Sequence, residues 1–243
     1  MLNIKNYSSY HDLSLETAQY IYGKIKSQLL KTGKFNLGLA TGNSPKDTYK
    51  HLIHLLSVSH LDLSNLHTFN LDEFYPLSQT ADQSFFQEMF HGFWLPLNEG
   101  NNTFNFTHGH ILNGEKNDSE ECDRYEKLIK ELGGIDLQIL GLGPNGHIGF
   151  NEPGSEATSR TRKITITKSS KIALEKTYGT IPEYGLTMGI GTILEAREIV
   201  LIATGKSKKE VFQKLIKLEK PTADIPASFL LNHPNTTIFT DFN

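Results

Sequence analysis

The sequence IDLQILGLGPNGHIGFNEP, residues 135–153, joins an apolar run to a glycine-rich polar loop. The run Ile135–Leu140 has the length and composition of a strand that is buried on both faces. The loop then brings His147, Asn151 and Glu152 to the carboxyl end of that strand. Ligands bind outside the carboxyl ends of strands in open α/β sheets. These residues therefore predict a parallel sheet with a polar site at one edge.

The same loop contains Gly141, Gly143 and Gly146, which match the GxGxxG spacing of a dinucleotide-binding fingerprint. That fingerprint requires the last glycine to open a helix, and an acidic residue at a strand end about 20 residues later. Two glycines and a proline occur in the eight residues after Gly146 and disfavour a helix. No strand ending in Asp or Glu follows at the required distance. We therefore expect no dinucleotide at this loop.

Composition limits the classes of function. The chain has 243 residues, 37% hydrophobic and 21% charged, which suits one large α/β domain or two small ones. A net charge of -3 and a pI near 6.4 argue against nucleic acid or an anionic membrane as the main partner. Its single cysteine, Cys122, excludes an internal disulfide and a CxxC metal site. Without a signal-peptide pattern or an apolar run of about 18 residues, we expect a cytoplasmic protein.

Apolar β-type runs alternate with longer amphipathic runs along the chain. The predicted strands are Phe35–Ala40, His67–Leu71, Ile135–Leu140, Ile199–Ala203 and Thr237–Thr240. The predicted helices are Leu13–Lys31, Pro45–Leu56, Ser84–Phe93, Asn117–Leu132, Ser170–Leu174, Tyr184–Ile190 and Lys208–Leu218. This alternation predicts an α/β, three-layer Rossmann-like fold, with a mostly parallel sheet and helices on both faces. We expect a single domain over residues 1–243.

Two stretches lack a strong pattern. Residues 98–114 are rich in glycine and polar side chains, which predicts a long surface connection. Residues 151–185 are polar and include an additional strand candidate at Thr165–Thr167. Because long loops in compact domains tend to be functional or mobile, we regard residues 151–185 as a candidate lid.

Two loops after predicted strands suit an anionic ligand. Thr41, Gly42, Asn43 and Ser44 precede a predicted helix, so backbone N–H groups and the helix dipole favour a phosphate there. The alternative is a plain N-cap, with Ser44 as the cap and Pro45 as the first helical residue. The second loop, from Thr204 to Lys209, contains GKS but lacks the first glycine of a P-loop, since position 200 is Val200. Its lysines still suit an anion.

Asp72 and Glu73 follow the strand His67–Leu71. They are compatible with a metal site, with a catalytic base beside a structural neighbour, or with a solvated turn. Adjacent residues in an extended chain point in opposite directions, so we expect only one of them to face a cleft. Zinc is disfavoured, because His147 and Glu152 lack the HExxH spacing and no cysteine cluster accompanies them. We expect no metal.

Three motifs resemble the glucosamine-6-phosphate deaminase family. They are Thr41-Gly42-x-Ser44-Pro45, the run from Phe69 to Phe74 (FNLDEF), and the run from Gly141 to Gly154 (GLGPNGHIGFNEPG). Shorter matches at residues 159–162, 186–192 and 233–234 extend the resemblance in order over nearly the whole chain. GHIGFNEP is the most specific part, because related 6-phosphogluconolactonases share the fold but lack the FNEP continuation.

The resemblance implies an amino-sugar catabolic hydrolase that converts D-glucosamine 6-phosphate and water to D-fructose 6-phosphate and ammonia, with no cofactor. In that reaction Asp72 is the base that moves the C2 proton to C1. His147 opens the pyranose ring and is held by Glu152 and Asn145. The implied phosphate-binding and sugar-binding residues are Thr41, Gly42, Asn43, Ser44, Lys208, Lys176 and Gly141.

The chain departs from the family pattern at several positions. Asn145 replaces the Asp of some members, and Lys176 stands where arginine is usual, so the bidentate grip on phosphate is lost. Ile164 replaces a lysine of the effector site, and the sequence ends without the extension of allosteric relatives. We therefore expect no activation by N-acetylglucosamine 6-phosphate, and a monomer or weak homo-oligomer. The alternatives are a galactosamine-6-phosphate deaminase, a 6-phosphogluconolactonase-like enzyme and a non-catalytic sugar-phosphate sensor.

Overall fold

The computed structural model describes residues 2–242, which form ten strands and eight α-helices. The strands are β1 (Asn3–Asn6), β2 (Phe35–Leu39), β3 (Leu66–Asn70), β4 (Asp72–Tyr75), β5 (Gly109–His110), β6 (Leu137–Gly141), β7 (Arg162–Thr165), β8 (Tyr184–Thr187), β9 (Ile199–Ala203) and β10 (Thr236–Thr240). The helices are α1 (Tyr10–Thr32), α2 (Lys46–Val58), α3 (Phe85–Met89), α4 (Leu95–Gly100), α5 (Asp118–Glu131), α6 (Lys168–Tyr178), α7 (Ile190–Leu194) and α8 (Lys209–Leu215). A π-helical turn, Phe90–Trp94, joins α3 to α4.

Seven strands form the main sheet in the order β1-β10-β9-β6-β2-β3-β5, and every neighbouring pair is parallel. Strands β2, β9 and β10 are buried along their whole length, as expected for parallel strands covered on both faces. Of the three, β9 (IVLIA) is a continuous apolar run. Because all strands run the same way, the loops after β3, β2, β6 and β9 meet at one edge of the sheet.

The main sheet has a hydrophobic core on each face. One core packs α1 and α2 against the sheet through residues such as Leu13, Ile21 and Leu52. The other packs α5 and α8 against the opposite face, with Tyr125 and Leu215 fully buried. The predicted three-layer α/β fold is therefore confirmed.

Local sequence explains where the long helices begin and end. Ser9 accepts a hydrogen bond from the backbone N–H of Asp12 and caps α1. Gly33 ends the same helix in the left-handed region at φ 74°, where glycine carries no steric cost. Asn117 caps α5, and three acidic residues follow in its first turn, where the helix dipole favours negative charge.

A second sheet of three antiparallel strands, in the order β4-β8-β7, stands beside the main sheet. It corrects the prediction of a helix over Tyr184–Ile190, because residues 184–187 form β8 and only Ile190 is helical. Pairing with β4 and β7 supplies hydrogen bonds on both sides of β8, which outweighs a weak local helical preference. The additional strand expected at Thr165–Thr167 is present as β7, which begins three residues earlier, at Arg162, and ends at Thr165.

The predicted surface connection over residues 98–114 was only partly right. It contains the edge strand β5, and Phe104, Ile111 and Leu112 are buried within it. Strand β1 was not predicted, because its sequence, NIKN, is short and mostly exposed. It forms by parallel pairing with β10, a contact between the two ends of the chain.

Gly189 offers a test of the junction between β8 and α7. A Cβ at this position would lie 2.0 Å from the carbonyl oxygen of Ser159, a backbone atom that also accepts a hydrogen bond from Gly191. We expect Gly189→Ala to lower the free energy of unfolding by about 1–3 kcal/mol, measured by urea denaturation.

The matched control is Gly23→Ala, at an exposed position of α1 where an added Cβ meets no atom within 4 Å. Alanine favours the helix interior, so this variant should gain about 0.5–1 kcal/mol. Equal stability of the two variants would contradict the proposed crowding at Gly189.

Candidate functional site

A cavity of about 470 Å³ opens at the carboxyl edge of the main sheet. The loops after β2, β3, β6 and β9 form its polar walls, and α6 forms an apolar side. Ten of the residues predicted from sequence belong to this site: nine line the cavity, and Glu152 contacts two of these, His147 and Asn145. The nine that line it directly are Thr41, Gly42, Asn43, Ser44, Asp72, Gly141, Asn145, His147 and Lys208.

The loop after β2 and the loop after β9 meet at Ser44. The ammonium group of Lys208 donates a hydrogen bond to the hydroxyl of Ser44 at 2.8 Å. Burial lowers the pKa of Lys208, and no carboxylate offsets this effect within residues 2–242. A partly buried cation beside a loop of backbone N–H groups is suited to bind an anion.

The alternative of Ser44 as a plain N-cap is wrong. Helix α2 begins at Lys46, its N-cap position is Pro45, and no side chain caps it. The hydroxyl of Tyr10 instead braces the loop, since it donates to the carbonyl oxygens of Asn43 at 3.0 Å and Ser44 at 3.2 Å. The hydroxyl of Ser44 is therefore turned toward Lys208 and the cavity.

Asp72, the first residue of β4, places a carboxyl group in the wall of the cavity. The side chain is buried, and its Oδ1 atom has no hydrogen-bond partner among residues 2–242. Burial, followed by the charges of Glu73 and Glu88, raises the pKa of Asp72 to about 8. A carboxyl group with a raised pKa and a free oxygen is suited to exchange protons with a ligand.

Glu73 points away from the cavity, as expected for the neighbour of Asp72 in an extended strand. Its carboxylate accepts hydrogen bonds from the backbone N–H groups of Phe74 at 2.8 Å, Phe85 at 2.9 Å and Phe86 at 2.8 Å. Two of these groups belong to the first turn of α3, so Glu73 caps that helix. Of the three alternatives predicted for Asp72 and Glu73, the structure agrees with an acid that faces the cavity, Asp72, beside a structural neighbour, Glu73.

His147 and Glu152 form a connected pair in the loop after β6. The His147 Nδ1 atom lies 3.3 Å from Glu152 Oε1, although the contact is not aligned as a hydrogen bond. Asn145 donates to Glu152 Oε2 at 2.5 Å, and Ser170 of α6 donates to Oε1. Burial opposes ionisation of Glu152, but contacts with His147, Ser170 and Asn145 outweigh it and lower its pKa to about 2.

The glycines of the loop after β6 differ in how much space a side chain would have at each position. A Cβ at Gly143 would lie 2.2 Å from the imidazole ring of His147, so any side chain there would displace the histidine. A Cβ at Gly141 would make only ordinary contact with Ser44, at 3.7 Å, and would project toward the same corner of the cavity. After Gly146 the chain turns and forms a bridge between Ile148 and Asn151. No helix opens there, and the dinucleotide fingerprint fails structurally.

Lys176 does not belong to the cavity. It lies on α6 with an exposed side chain, whereas Ser170, Leu174, Thr177 and Tyr178 of the same helix line the cavity. The sequence prediction of Lys176 as a phosphate ligand is thus not supported by this arrangement, because its position on the helix turns it toward solvent.

Sequence reasoning missed Glu88. Its carboxylate accepts a hydrogen bond from the backbone N–H of Gly42 at 3.1 Å and another from the hydroxyl of Tyr178. On a short helix rich in phenylalanine, a single glutamate gives no sign of such contacts. Only the packing of α3 between two walls of the cavity shows them.

Two further observations bear on the class of site. Among residues 2–242, no group of three or more His, Cys, Asp or Glu side chains is arranged to hold a metal ion. In the same part of the chain, no helix has both the length and the apolar character needed to cross a bilayer.

A sequence profile described as "Glucosamine-6-phosphate isomerases/6-phosphogluconolactonase" matches residues 8–239. The chain belongs to this family. A family member from Thermoanaerobacter pseudethanolicus, named glucosamine-6-phosphate deaminase, is 40% identical over 237 residues, which cover 96% of this chain and 90% of the relative. Another of the same name, from Rhodopirellula baltica, is 42% identical over 226 residues, or 91% and 87% of the two chains.

Solved structures of the family agree. A monomeric glucosamine-6-phosphate deaminase superposes with a TM-score of 0.91 at 36% identity, covering 99% of this chain and 97% of that one. A 6-phosphogluconolactonase from Thermotoga maritima gives a TM-score of 0.74 at 21% identity, covering 99% and 100%. The second likeness shows a shared fold only.

The raised pKa of Asp72 makes a prediction about stability. An unfolded aspartate has a pKa of about 3.9, whereas that of folded Asp72 is about 8. Between these values the folded chain binds a proton that the unfolded chain has lost, so stability falls as pH rises. Asp72→Asn removes this pH-dependent loss of stability, because asparagine does not ionise. We expect its gain in unfolding free energy over the parent to be larger at about pH 8 than at about pH 5, by at least ~1 kcal/mol.

Urea denaturation of both proteins at the two pH values measures this difference. Asp82→Asn is the control, because Asp82 is an exposed aspartate in the loop before α3. Its effect on stability should be the same at both pH values. A pH-independent effect of Asp72→Asn would show that the carboxyl group ionises normally in the folded chain.

Proposed function

We propose that the protein is a glucosamine-6-phosphate deaminase, which converts D-glucosamine 6-phosphate and water to D-fructose 6-phosphate and ammonia without a cofactor. One observation carries the proposal: the buried, unpartnered carboxyl group of Asp72 shares a cavity with the His147–Glu152 pair and the Lys208–Ser44 anion site. The names of relatives at 36–42% identity support the same reaction.

The phosphate group binds to Lys208, the hydroxyl of Ser44 and backbone N–H groups of the Thr41–Ser44 loop other than that of Gly42, which is bonded to Glu88. Lys208 is suited to this role because its ammonium group has no carboxylate to neutralise it within residues 2–242. This remote contact holds a flexible sugar in position, and its binding energy orients C1 and C2 in the cavity.

His147 opens the sugar ring. It accepts the proton of the C1 hydroxyl and returns a proton to the ring oxygen, since an imidazole can act both as a general base and as a general acid. Glu152 remains ionised, with its pKa lowered to about 2, and faces Nδ1. That contact favours a proton on Nδ1 and leaves Nε2 to exchange protons with the substrate.

Asp72 then moves a proton from C2 to C1 of the open-chain sugar. Removal of the C2 proton, with protonation of the C1 oxygen, gives an enolamine. Return of the first proton to C1, with loss of a proton from nitrogen, gives an imine at C2, so that a second proton passes in effect from nitrogen to the C1 oxygen. Water adds to the imine carbon, and the C–N bond breaks to release ammonia and leave the ketone of fructose 6-phosphate. A single carboxyl group over one face of the sugar is sufficient for the proton shift. Asp72 needs its carboxylate form, which the ammonium group of the bound amino sugar favours.

We further propose that residues 151–185 act as a lid of this single-domain protein. Helix α6 within that segment provides the apolar side of the cavity and contacts the catalytic loop through Ser170 and Glu152. Movement of α6 would admit the substrate and then exclude water from the imine until hydrolysis.

The proposal also covers the location and oligomeric state of the enzyme. We propose a cytoplasmic enzyme that acts as a monomer or weak homo-oligomer, in keeping with the single buried cysteine and the monomeric structural relative. Size-exclusion chromatography with light scattering tests the oligomeric state, and a stable tetramer or hexamer would contradict it.

The decisive experiment is an ammonia assay with glucosamine 6-phosphate and galactosamine 6-phosphate side by side. We expect release from the gluco substrate, and a loss of about 100-fold or more in Asp72→Asn. Binding of fructose 6-phosphate should survive in the variant.

A parallel assay measures hydrolysis of 6-phosphogluconolactone. That reaction needs no base at C2, so lactonase activity that persists in Asp72→Asn, without ammonia release by the parent, would favour the lactonase alternative. Faster ammonia release from the galacto substrate would reassign the epimer. Sugar-phosphate binding without either activity would favour the sensor.

Lys208→Ala tests the phosphate site. Since phosphate is bound equally in the ground state and the transition state, we expect KM to rise by about 10-fold to 100-fold with a smaller change in kcat. Lys217→Ala, an exposed lysine just after α8, is the control and should leave KM unchanged. An unchanged KM in Lys208→Ala would exclude this lysine from phosphate binding.

A further inference from the structure

Glu88 connects two walls of the cavity from behind. It lies on α3, outside the cavity lining, and its side chain is partly buried. One carboxylate oxygen accepts the N–H of Gly42, in the loop after β2, at 3.1 Å. The other accepts the hydroxyl of Tyr178, the last residue of α6. Neither partner is a cation, so the negative charge of Glu88 is stabilised by hydrogen bonds alone.

The contact with Gly42 constrains the phosphate-binding loop. Gly42 adopts φ 88°, a left-handed conformation that glycine reaches without steric cost, and the hydrogen bond to Glu88 restricts this otherwise flexible position. Its backbone N–H is committed to Glu88, so binding of the phosphate depends on Lys208, Ser44 and the remaining N–H groups of the loop. A carboxylate close to this loop repels an anionic ligand, so anion binding alone gives no reason for a charged residue at this position.

The contact with Tyr178 constrains the lid. The Tyr178 ring packs edge-on against Phe74 at 5.7 Å and Phe85 at 5.4 Å between centroids, and its face contributes to the cavity. Burial and the charge of Glu88 raise the pKa of Tyr178, so its hydroxyl remains a donor. The carboxyl end of α6 is therefore fastened to the loop after β2 through one carboxylate.

We propose that Glu88 is a positioning residue of the deamination reaction, which fastens the lid helix to the phosphate-binding loop and adds to the negative potential around Asp72. This proposal rests on the proposed function, since it assigns Glu88 a part in the same site. A neutral acceptor could also link the two walls, although through weaker hydrogen bonds. The charge gives Glu88 its second effect, because Asp72 then keeps its proton until the cationic amino group of the substrate arrives.

Several groups besides Glu88 face Asp72 and contribute to its titration. Glu73 on the same strand raises the pKa of Asp72, as Glu88 does. Three tyrosines on α2, α5 and α6 interact with the Asp72 charge, and all have raised pKa values that keep them neutral; they are Tyr49, Tyr125 and Tyr178. His147 and Lys208 line the same cavity. Of Glu73 and Glu88, only Glu88 contacts both the loop after β2 and the lid helix.

The test compares Glu88→Ala, Glu88→Gln and Tyr178→Phe with the parent. Loss of the tie should raise KM for glucosamine 6-phosphate by about threefold to tenfold in Glu88→Ala and in Tyr178→Phe, and the double variant should be no worse than Glu88→Ala. Glu88→Gln retains one acceptor for Gly42 and should rescue part of the loss. Glu99→Gln, an exposed acid on the neighbouring α4, is the matched control.

The pH profile separates positioning from a merely structural role. Removal of the Glu88 charge favours the ionised form of Asp72, so the acidic limb of kcat/KM should move to lower pH in both Glu88 variants. Tyr178→Phe keeps the charge and should leave the limb in place. An unmoved limb in Glu88→Gln, or fully additive KM effects of Glu88→Ala and Tyr178→Phe, would overturn the proposal.

Calorimetric binding of fructose 6-phosphate provides an arm that does not depend on turnover. Weaker binding in Glu88→Ala and Tyr178→Phe, again without additivity, supports the tie even if the parent releases no ammonia. In that case the reaction assignment fails and the tie stands. If the parent releases ammonia but binding and KM are unchanged in all Glu88 variants, the reaction assignment stands and the tie fails.

Discussion

The carboxylate of Glu73 holds the site together. It accepts three backbone hydrogen bonds, from Phe74 in its own strand and from Phe85 and Phe86 at the start of α3. These bonds fix the strand that carries Asp72 and the helix that carries Glu88. Because adjacent residues of a strand face opposite ways, anchoring Glu73 also directs Asp72 into the cavity. The register of β4 against β8 then holds Asp72 opposite Thr187.

The site is built from groups that are expensive to bury. Asp72 has an unpartnered oxygen, the Nδ1 of His147 has no aligned partner, and Lys208 has no carboxylate beside it in the described chain. Each lowers the stability of the ligand-free protein, since buried polar groups are normally satisfied. Each also marks a position where a substrate atom can supply the missing contact. Stability is given up where binding and proton transfer need open positions.

The family shares one sheet among different chemistries. A lactonase at 21% identity keeps the fold with a TM-score of 0.74, so the sheet alone does not select the reaction. Selection falls to the loops at its carboxyl edge and to the second sheet, β4-β8-β7, which brings Asp72 and the segment containing α6 to the same cavity.

The sequence by itself determined the parallel sheet and most of the site. Strands β6 and β9 are near-continuous apolar runs, whereas β2, β3 and β10 are short β-type runs that mix apolar and polar residues. Polar loops follow β2, β3, β6 and β9 directly. Parallel strands bring such loops to one edge, so the cavity containing Asp72, His147 and Lys208 could be predicted from residue order alone.

Tertiary structure decided the features that depend on partners distant in sequence. β8 is a strand because β4 and β7 pair with it, and β1 exists because β10 does. The orientation of α6 places Lys176 in solvent and Tyr178 at the cavity. The amino-acid sequence of the helix alone does not determine this orientation. Glu88 acquires its contacts only when α3 packs between the loop after β2 and α6. Local propensity has no information about such partners, and their hydrogen bonds outweigh it.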